Sequence, residues 1–396
     1  MSGLFSDKPL ACVLAGMDLL RPLGLAGIRC AVVAHPGSPP LYSRFTRAAL
    51  CWGELKEEQL VDALVRFGSS QPAPPVLFYV EDSHTLLVSR YRERLARAFR
   101  FVIAEPALVE DLVDKGRFQF LAERLGLPVP ATRRLHPVAD SRAPDLDLRF
   151  PLIIKPLTRQ KDWDAIGNSR KALQIDTPEA LQGLWPSFVA GRRDILAQQL
   201  IAGPETRIES YHVYVDQRGN IAGEFTGRKI RTYPASYGYS TALEITDAPD
   251  VTALGRSLME RLELRGVAKF DLKRDERGAL HLLEVNPRFN LWHHPGTIAG
   301  VNLPALVYAD LVGLPRPAAR RARAGVRWCL IWRDWRAARA CGMPLLRWLL
   351  WVLGCEAKSA VAWDDPMPLL GAAWFRGTRV LRDLASRRTF HIWVGS

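Results

Sequence analysis

Three oxygen-bearing residues, Asp271, Glu284 and Asn286, stand where chemistry is most concentrated in this sequence. They fall in two neighbouring runs, Lys269-Phe270-Asp271-Leu272-Lys273 and Leu280-His281-Leu282-Leu283-Glu284-Val285-Asn286-Pro287-Arg288. The polar stretch between them ends in Gly278, which adopts positive φ without steric cost, so the runs read as a hairpin. Leu282 is expected opposite His281 and Leu283. Glu284 and Asn286, two apart, are expected on one face. With Asp271 on the adjacent strand, they form a set of hard oxygen donors suited to Mg²⁺ (or Mn²⁺) held together with substrate phosphates. On an ordinary surface hairpin the same acids would only be solvated.

Other residues add cationic and edge-on contacts. Lys155 closes an apolar run from Phe150 and can reach a phosphate oxygen as a point charge. The backbone of Gln199, Leu200 and Ile201, after the apolar run from Ile195, offers a strand edge to an adenine. Arg288 has a planar fork for a carboxylate or a tetrahedral oxyanion, and Lys269 is a second candidate for that role. His293 and His294, expected on a loop, are weaker candidates for a base. No Gly-x-Ser-x-Gly and no paired Cys and His suggest a covalent nucleophile.

Positioning these groups requires ordinary alternating elements. Strands are expected at 10–14, 28–34, 76–80 and 101–104, with helices over 17–24, 55–67, 90–98 and 108–125. This pattern predicts a doubly wound parallel sheet followed by a single helix carrying Lys115. Glu81 and Asp82 follow the third strand, where they can meet an amine or cap a helix. Further on, 211–215 and 221–225 read as a hairpin, 233–241 as a polar aromatic loop suited to substrate selection, and 250–264 as a helix.

The hairpin and the lysines before it resemble the ATP-grasp superfamily, over roughly residues 10–315 and most nearly its carboxylate–amine ligases and carboligases. The resemblance implies an α/β chain: a Rossmann-like pre-ATP-grasp domain (1–107), a two-lobed ATP-grasp domain (108–315, hinge near 196–205) and a helical basic extension (316–396). It implies that Lys115, Lys155 and Lys229 contact phosphates and that Glu205 contacts the ribose. Gln198 stands where the family often has an acid. The polar run 158–171 takes the place of the loop over the triphosphate, with fewer glycines than usual. The implied activity is ATP-dependent joining of a carboxylate to an amine through an acyl phosphate. A thiol or bicarbonate nucleophile, or a nucleotide-binding module without turnover, are the rival readings.

Bulk properties set the remaining limits. The 396 residues are 48% hydrophobic and 24% charged, as in an ordinary globular chain. Six scattered cysteines fit neither a disulfide framework nor a zinc site, and favour the cytoplasm. The N-terminus lacks the pattern of a signal peptide, and no apolar run reaches the ~20 residues of a membrane span. Net charge is +13, and the region from Arg316 onward holds fifteen Lys and Arg against five Asp and Glu. Eight of the twelve tryptophans also lie beyond residue 320. This tail is expected either to pack its tryptophans on the body or to lie on an anionic membrane surface. Nucleic acid is disfavoured for want of a motif, and a homodimer is left open.

Overall fold

A computed structural model describes residues 8–14, 16–51, 55–139, 141–157, 172–191, 194–318 and 320–388. The run 158–171, expected to cover the triphosphate, lies outside the described residues.

The first sheet is parallel, with spatial order β3-β2-β1-β4: β1 (Ala11–Leu14), β2 (Cys30–Ala34), β3 (Thr46–Cys51) and β4 (Val76–Tyr79). Both faces are covered, so β1 is apolar throughout. Ala11 and Val13 pack with Leu19, Leu20 and Leu23 of the helix Met17–Leu25. Cys12 and Leu14 pack with Leu60, Val61 and Leu64 of the helix Glu57–Ser69. Successive strand residues thereby feed two cores. The strand expected at 101–104 does not form; only Arg100 bridges to Val76. Phe101 and Ile103 instead pack at the margin of the second core.

The single helix expected over 108–125 is two helices, Pro106–Val113 and Lys115–Arg124. Asp114 between them takes an extended conformation, and its Oδ1 accepts from Gly116 N and Arg117 N at 2.9 Å each. This N-cap restarts the helix and sets Lys115 at its first turn.

A small antiparallel sheet follows, in the order β5-β8-β6-β7: β5 (Thr132–Leu135), β6 (Leu152–Pro156), β7 (Leu173–Ile175) and β8 (Ile195–Gln199). The helix Pro178–Ala190 covers one face through Leu181, Trp185 and Phe188.

The largest sheet runs β13-β12-β9-β10-β11-β14-β15. Its strands are β9 (Ile208–Val215), β10 (Ile221–Tyr233), β11 (Tyr239–Thr246), β12 (Gly266–Arg274), β13 (Leu280–Asn286), β14 (Arg327–Cys329) and β15 (Ala357–Lys358). Period-two alternation in β12 divides its two faces. Ala268, Phe270 and Leu272 are fully buried against the helix Pro249–Arg261 and the helices that flank Asp114. Lys269, Asp271 and Lys273 face the other way. The tail is therefore not wholly helical. It adds β14 and β15 to this sheet, with the helices Ile331–Ala340 and Leu345–Leu353 between them and the helix Met367–Arg388 after. Among the described residues, no helix is long and apolar enough to cross a membrane.

Candidate active site

The expected hairpin forms in register: Lys269 lies opposite Asn286, and Asp271 opposite Glu284. Gly278 takes φ +88° in the turn. One feature departs from simple alternation. The register shifts between Asp271 and Leu272, leaving Leu283 as an extra residue on β13. Leu282 accordingly turns into the core, while Leu283, Glu284 and Asn286 all line the cleft. A bulge beside a site re-aims side chains in this way.

The cleft has a volume of about 350 Å³ and lies between the small and large sheets. From the small sheet come Lys155, Gln198 and Gln199, with Leu200, Ile201 and Glu205 just beyond β8. From the large sheet come Lys229, Asp271, Glu284 and Asn286, followed by Arg288. Lys115 enters from its helix start, where its Nζ donates to Pro156 O at 3.2 Å. Thus the three oxygen donors, Arg288, the lysines at 115, 155 and 229, Gln198, Glu205 and the 199–201 backbone segment border one cavity. Lys269 sits beneath it and donates from Nζ to Asp271 Oδ2 at 2.5 Å.

Electrostatics follow from burial and pairing. Burial by itself would raise the pKa of Asp271. Lys269 and Lys229 outweigh it and hold the carboxyl well below its usual range. Ser210 donates to its other oxygen at 2.5 Å. Lys155 is shifted to about 8, first by burial and then by the nearby Lys115. Its Nζ donates to Gln198 Oε1 at 2.8 Å, and Gln198 Nε2 donates to Thr132 Oγ1 at 3.0 Å. A neutral amide thus orients the lysine without cancelling its charge. Arg288 bridges two parts of the chain, donating from Nε to Asp82 Oδ1 at 2.5 Å and from Nη2 to Asn286 Oδ1 at 3.0 Å. Glu81, not Asp82, is the N-cap residue of the helix Asp82–Arg90, and it makes no side-chain cap bond.

Some expectations change. The N–H groups of Gln199 and Leu200 already donate to Ala131 O and Pro151 O, at 2.9 and 3.2 Å. His293 and His294 lie in a short helix, His293–Ile298, rather than on a loop. Both are buried, and neither lines the cleft. His294 Nδ1 is 3.0 Å from Asp18 Oδ1. Burial lowers the His293 pKa to about 3, which leaves it uncharged. The sequence reading missed Lys273, which lines the cleft two residues after Asp271 on the same strand face; that spacing was visible. Tyr237, Gly238 and Tyr239 also line it, from the loop expected to select substrate.

The donor set accords with a divalent cation carried with phosphates. Among the described residues, no three of His, Cys, Asp and Glu converge. Asp271, Glu284 and Asn286 leave most of a hard cation's oxygen shell to be filled by substrate and water, which is how Mg²⁺ is usually held.

Comparison with known proteins agrees with this geometry. The family described as ATP-grasp in the biosynthetic pathway with Ter operon matches residues 219–331. The D-aspartate ligase of Enterococcus faecium (strain Aus0004) is 24% identical over 288 residues, covering 69% of this chain and 68% of that one. The D-alanine–D-alanine ligase of Ectopseudomonas mendocina (strain ymp) is 29% identical over 214 residues, covering 50% and 64%. The chain thus spans about two thirds of the length of either relative. Among solved structures, an L-amino acid ligase from Bacillus licheniformis superposes with a TM-score of 0.59 at 16% identity, covering 78% and 75%. The N5-carboxyaminoimidazole synthetase of Staphylococcus aureus, complexed with ADP, gives 0.61 at 13% identity, covering 81% and 82%. In fold the chain is similar to these two solved structures, and in sequence it is similar to the two ligases and, over residues 219–331, to the ATP-grasp family.

Proposed function

We propose that this chain uses ATP to phosphorylate a carboxylate and joins the resulting acyl phosphate to an amine, releasing ADP and phosphate. The observation that carries this reading is the convergence, in one cleft, of Asp271, Glu284 and Asn286 with Lys115, Lys155, Lys229 and Lys273. That is an arrangement for a polyanion with its metal, and none of the described residues that line it is Ser, Thr or Cys.

The nucleotide would lie along the small sheet. With the Gln199 and Leu200 N–H groups engaged elsewhere, the backbone N–H of Ile201 would be the donor to an adenine edge. Glu205, just past Gly203, would accept from the ribose hydroxyls. Lys155, Lys115 and Lys229 would contact the phosphates. Asp271, Glu284 and Asn286 would hold Mg²⁺, which neutralises phosphate charge during transfer. Lys269 keeps Asp271 ionised for that task.

In the first step an oxygen of the substrate carboxylate attacks the γ-phosphorus and ADP leaves. In the second, the amine lone pair attacks the acyl carbon, phosphate leaves, and a proton passes to solvent. Arg288 would hold the carboxylate and then the tetrahedral oxyanion. Asp82, across from Arg288, would attract the ammonium end of an amine substrate. The names of the two relatives support an amino acid as one of the two substrates. The work of the site is positioning and charge stabilisation. ADP release by the full chain with Mg²⁺, screened across amino acids and amines, tests the reading. It fails if no carboxylate–amine pair raises ADP release above the substrate-free rate.

A further inference from the structure

The helix Leu345–Leu353 turns its apolar face away from the protein. Leu345, Leu346, Leu349, Leu350 and Leu353 are between 43% and 74% exposed. At 3.6 residues per turn these five fall within an arc of about 140°. The opposite side carries Trp348 and Val352, both buried. Trp348 anchors the helix, donating from Nε1 to Asp334 Oδ2 at 3.0 Å. The leucine stripe is therefore fixed in place and outward-facing, which is the reverse of a surface helix on a globular body. Trp332, on the preceding helix, is 70% exposed.

Charge narrows the choice of occupant. Between residues 331 and 355 the sequence contains a single acid, Asp334, which is buried and paired with Arg231. The exposed charges on these two helices are Arg333, Arg336, Arg339 and Arg347, all positive. A second copy of this chain would bring the same positive charge against them. An anionic lipid surface would bring the opposite charge and an apolar layer as well.

We infer that the helices Ile331–Ala340 and Leu345–Leu353 dock the protein on an anionic lipid surface. The leucine stripe enters the headgroup–acyl boundary, with Trp332 at the interface and the arginines against lipid phosphates. This inference is independent of the ligase reading, because none of these residues lines the catalytic cleft.

Co-sedimentation of the full chain with two kinds of vesicle provides the test: phosphatidylcholine alone, and phosphatidylcholine with about a quarter phosphatidylglycerol. The chain is expected to pellet with the anionic vesicles and to stay in solution with the neutral ones. The double variant Leu346→Glu, Leu350→Glu is expected to bind anionic vesicles at least about tenfold more weakly. Its melting temperature and ADP release should be unchanged, since both positions are exposed. No pelleting of the wild type, equal pelleting on both vesicle types, or full binding by the double variant each overturns the inference. So does a wild-type dimer in sedimentation velocity that the double variant makes monomeric while neither binds vesicles; the occupant is then a second copy.

Discussion

Arg231 and Asp334, 103 residues apart, form a two-point ion pair, with Nε to Oδ1 at 2.9 Å and Nη2 to Oδ2 at 2.7 Å. Both side chains are almost fully buried. Thr241 Oγ1 and Trp348 Nε1 also donate to Asp334, at 2.9 and 3.0 Å. The Arg231 guanidinium stacks on Trp351 at 4.0 Å. Arg231 lies on β10, the strand that leads into the loop with Tyr237 and Gly238 at the cleft. The tail is thus keyed into the base of a cleft-lining loop.

Removing one partner of such a pair strands the other charge in a dry site. Asp334→Ala is expected to destabilise the chain by about 3 kcal/mol or more, measured by denaturant unfolding. Trp348→Phe, which removes one donor and keeps most of the packing, should cost about 1 kcal/mol. If Asp334→Ala unfolds at the wild-type denaturant concentration, the tail does not brace this loop.

Glu284 tests the metal assignment cleanly, because its side chain is 54% exposed and its removal leaves the core intact. Glu284→Ala is expected to lower ADP release by at least about a hundredfold while the melting temperature stays close to wild type. Raising the Mg²⁺ concentration should recover part of the loss. Unchanged turnover would remove Glu284 from the site.

Much of this site was legible because strand periodicity is strict. Lys269, Asp271 and Lys273 alternate with Phe270 and Leu272, and the fold separates them as that pattern requires. The β-branched and apolar runs of β1, β2 and β4 were legible for the same reason. What stayed hidden depended on local geometry or distance. The break at Asp114 comes from one side chain capping a helix inside an otherwise continuous apolar pattern. The bulge at Leu283 leaves no mark in composition. The strand Thr46–Cys51 is half exposed at a sheet edge, so its apolar signal is weak. The Arg288–Asp82 contact joins residues 206 apart, beyond any reading of local spacing.

That contact predicts a separation of kinetic effects. Asp82 lies on the helix Asp82–Arg90, which follows β4, and meets Arg288 across the cleft. Asp82→Asn keeps shape and removes charge. The KM for the amine should rise by about tenfold, with the KM for ATP changed little. An equal rise in both would mean that Asp82 only positions Arg288.

Lys155 gives the pH dependence. Its pKa falls from 10.5 to about 8 because burial disfavours the charged form, with Lys115 adding repulsion. Without nucleotide, the folded chain therefore gives up this proton at lower pH than the unfolded chain. Between about 8 and 10.5 the unfolded state binds more protons, so this group's contribution to stability rises with pH across that window. Nucleotide binding runs the other way, because phosphates need the charged lysine. ADP affinity, measured by calorimetry, should fall as pH rises through about 8. Lys155→Met should bind ADP about tenfold or more weakly and lose that inflection. An inflection that survives in the Met variant would assign the titration to another group.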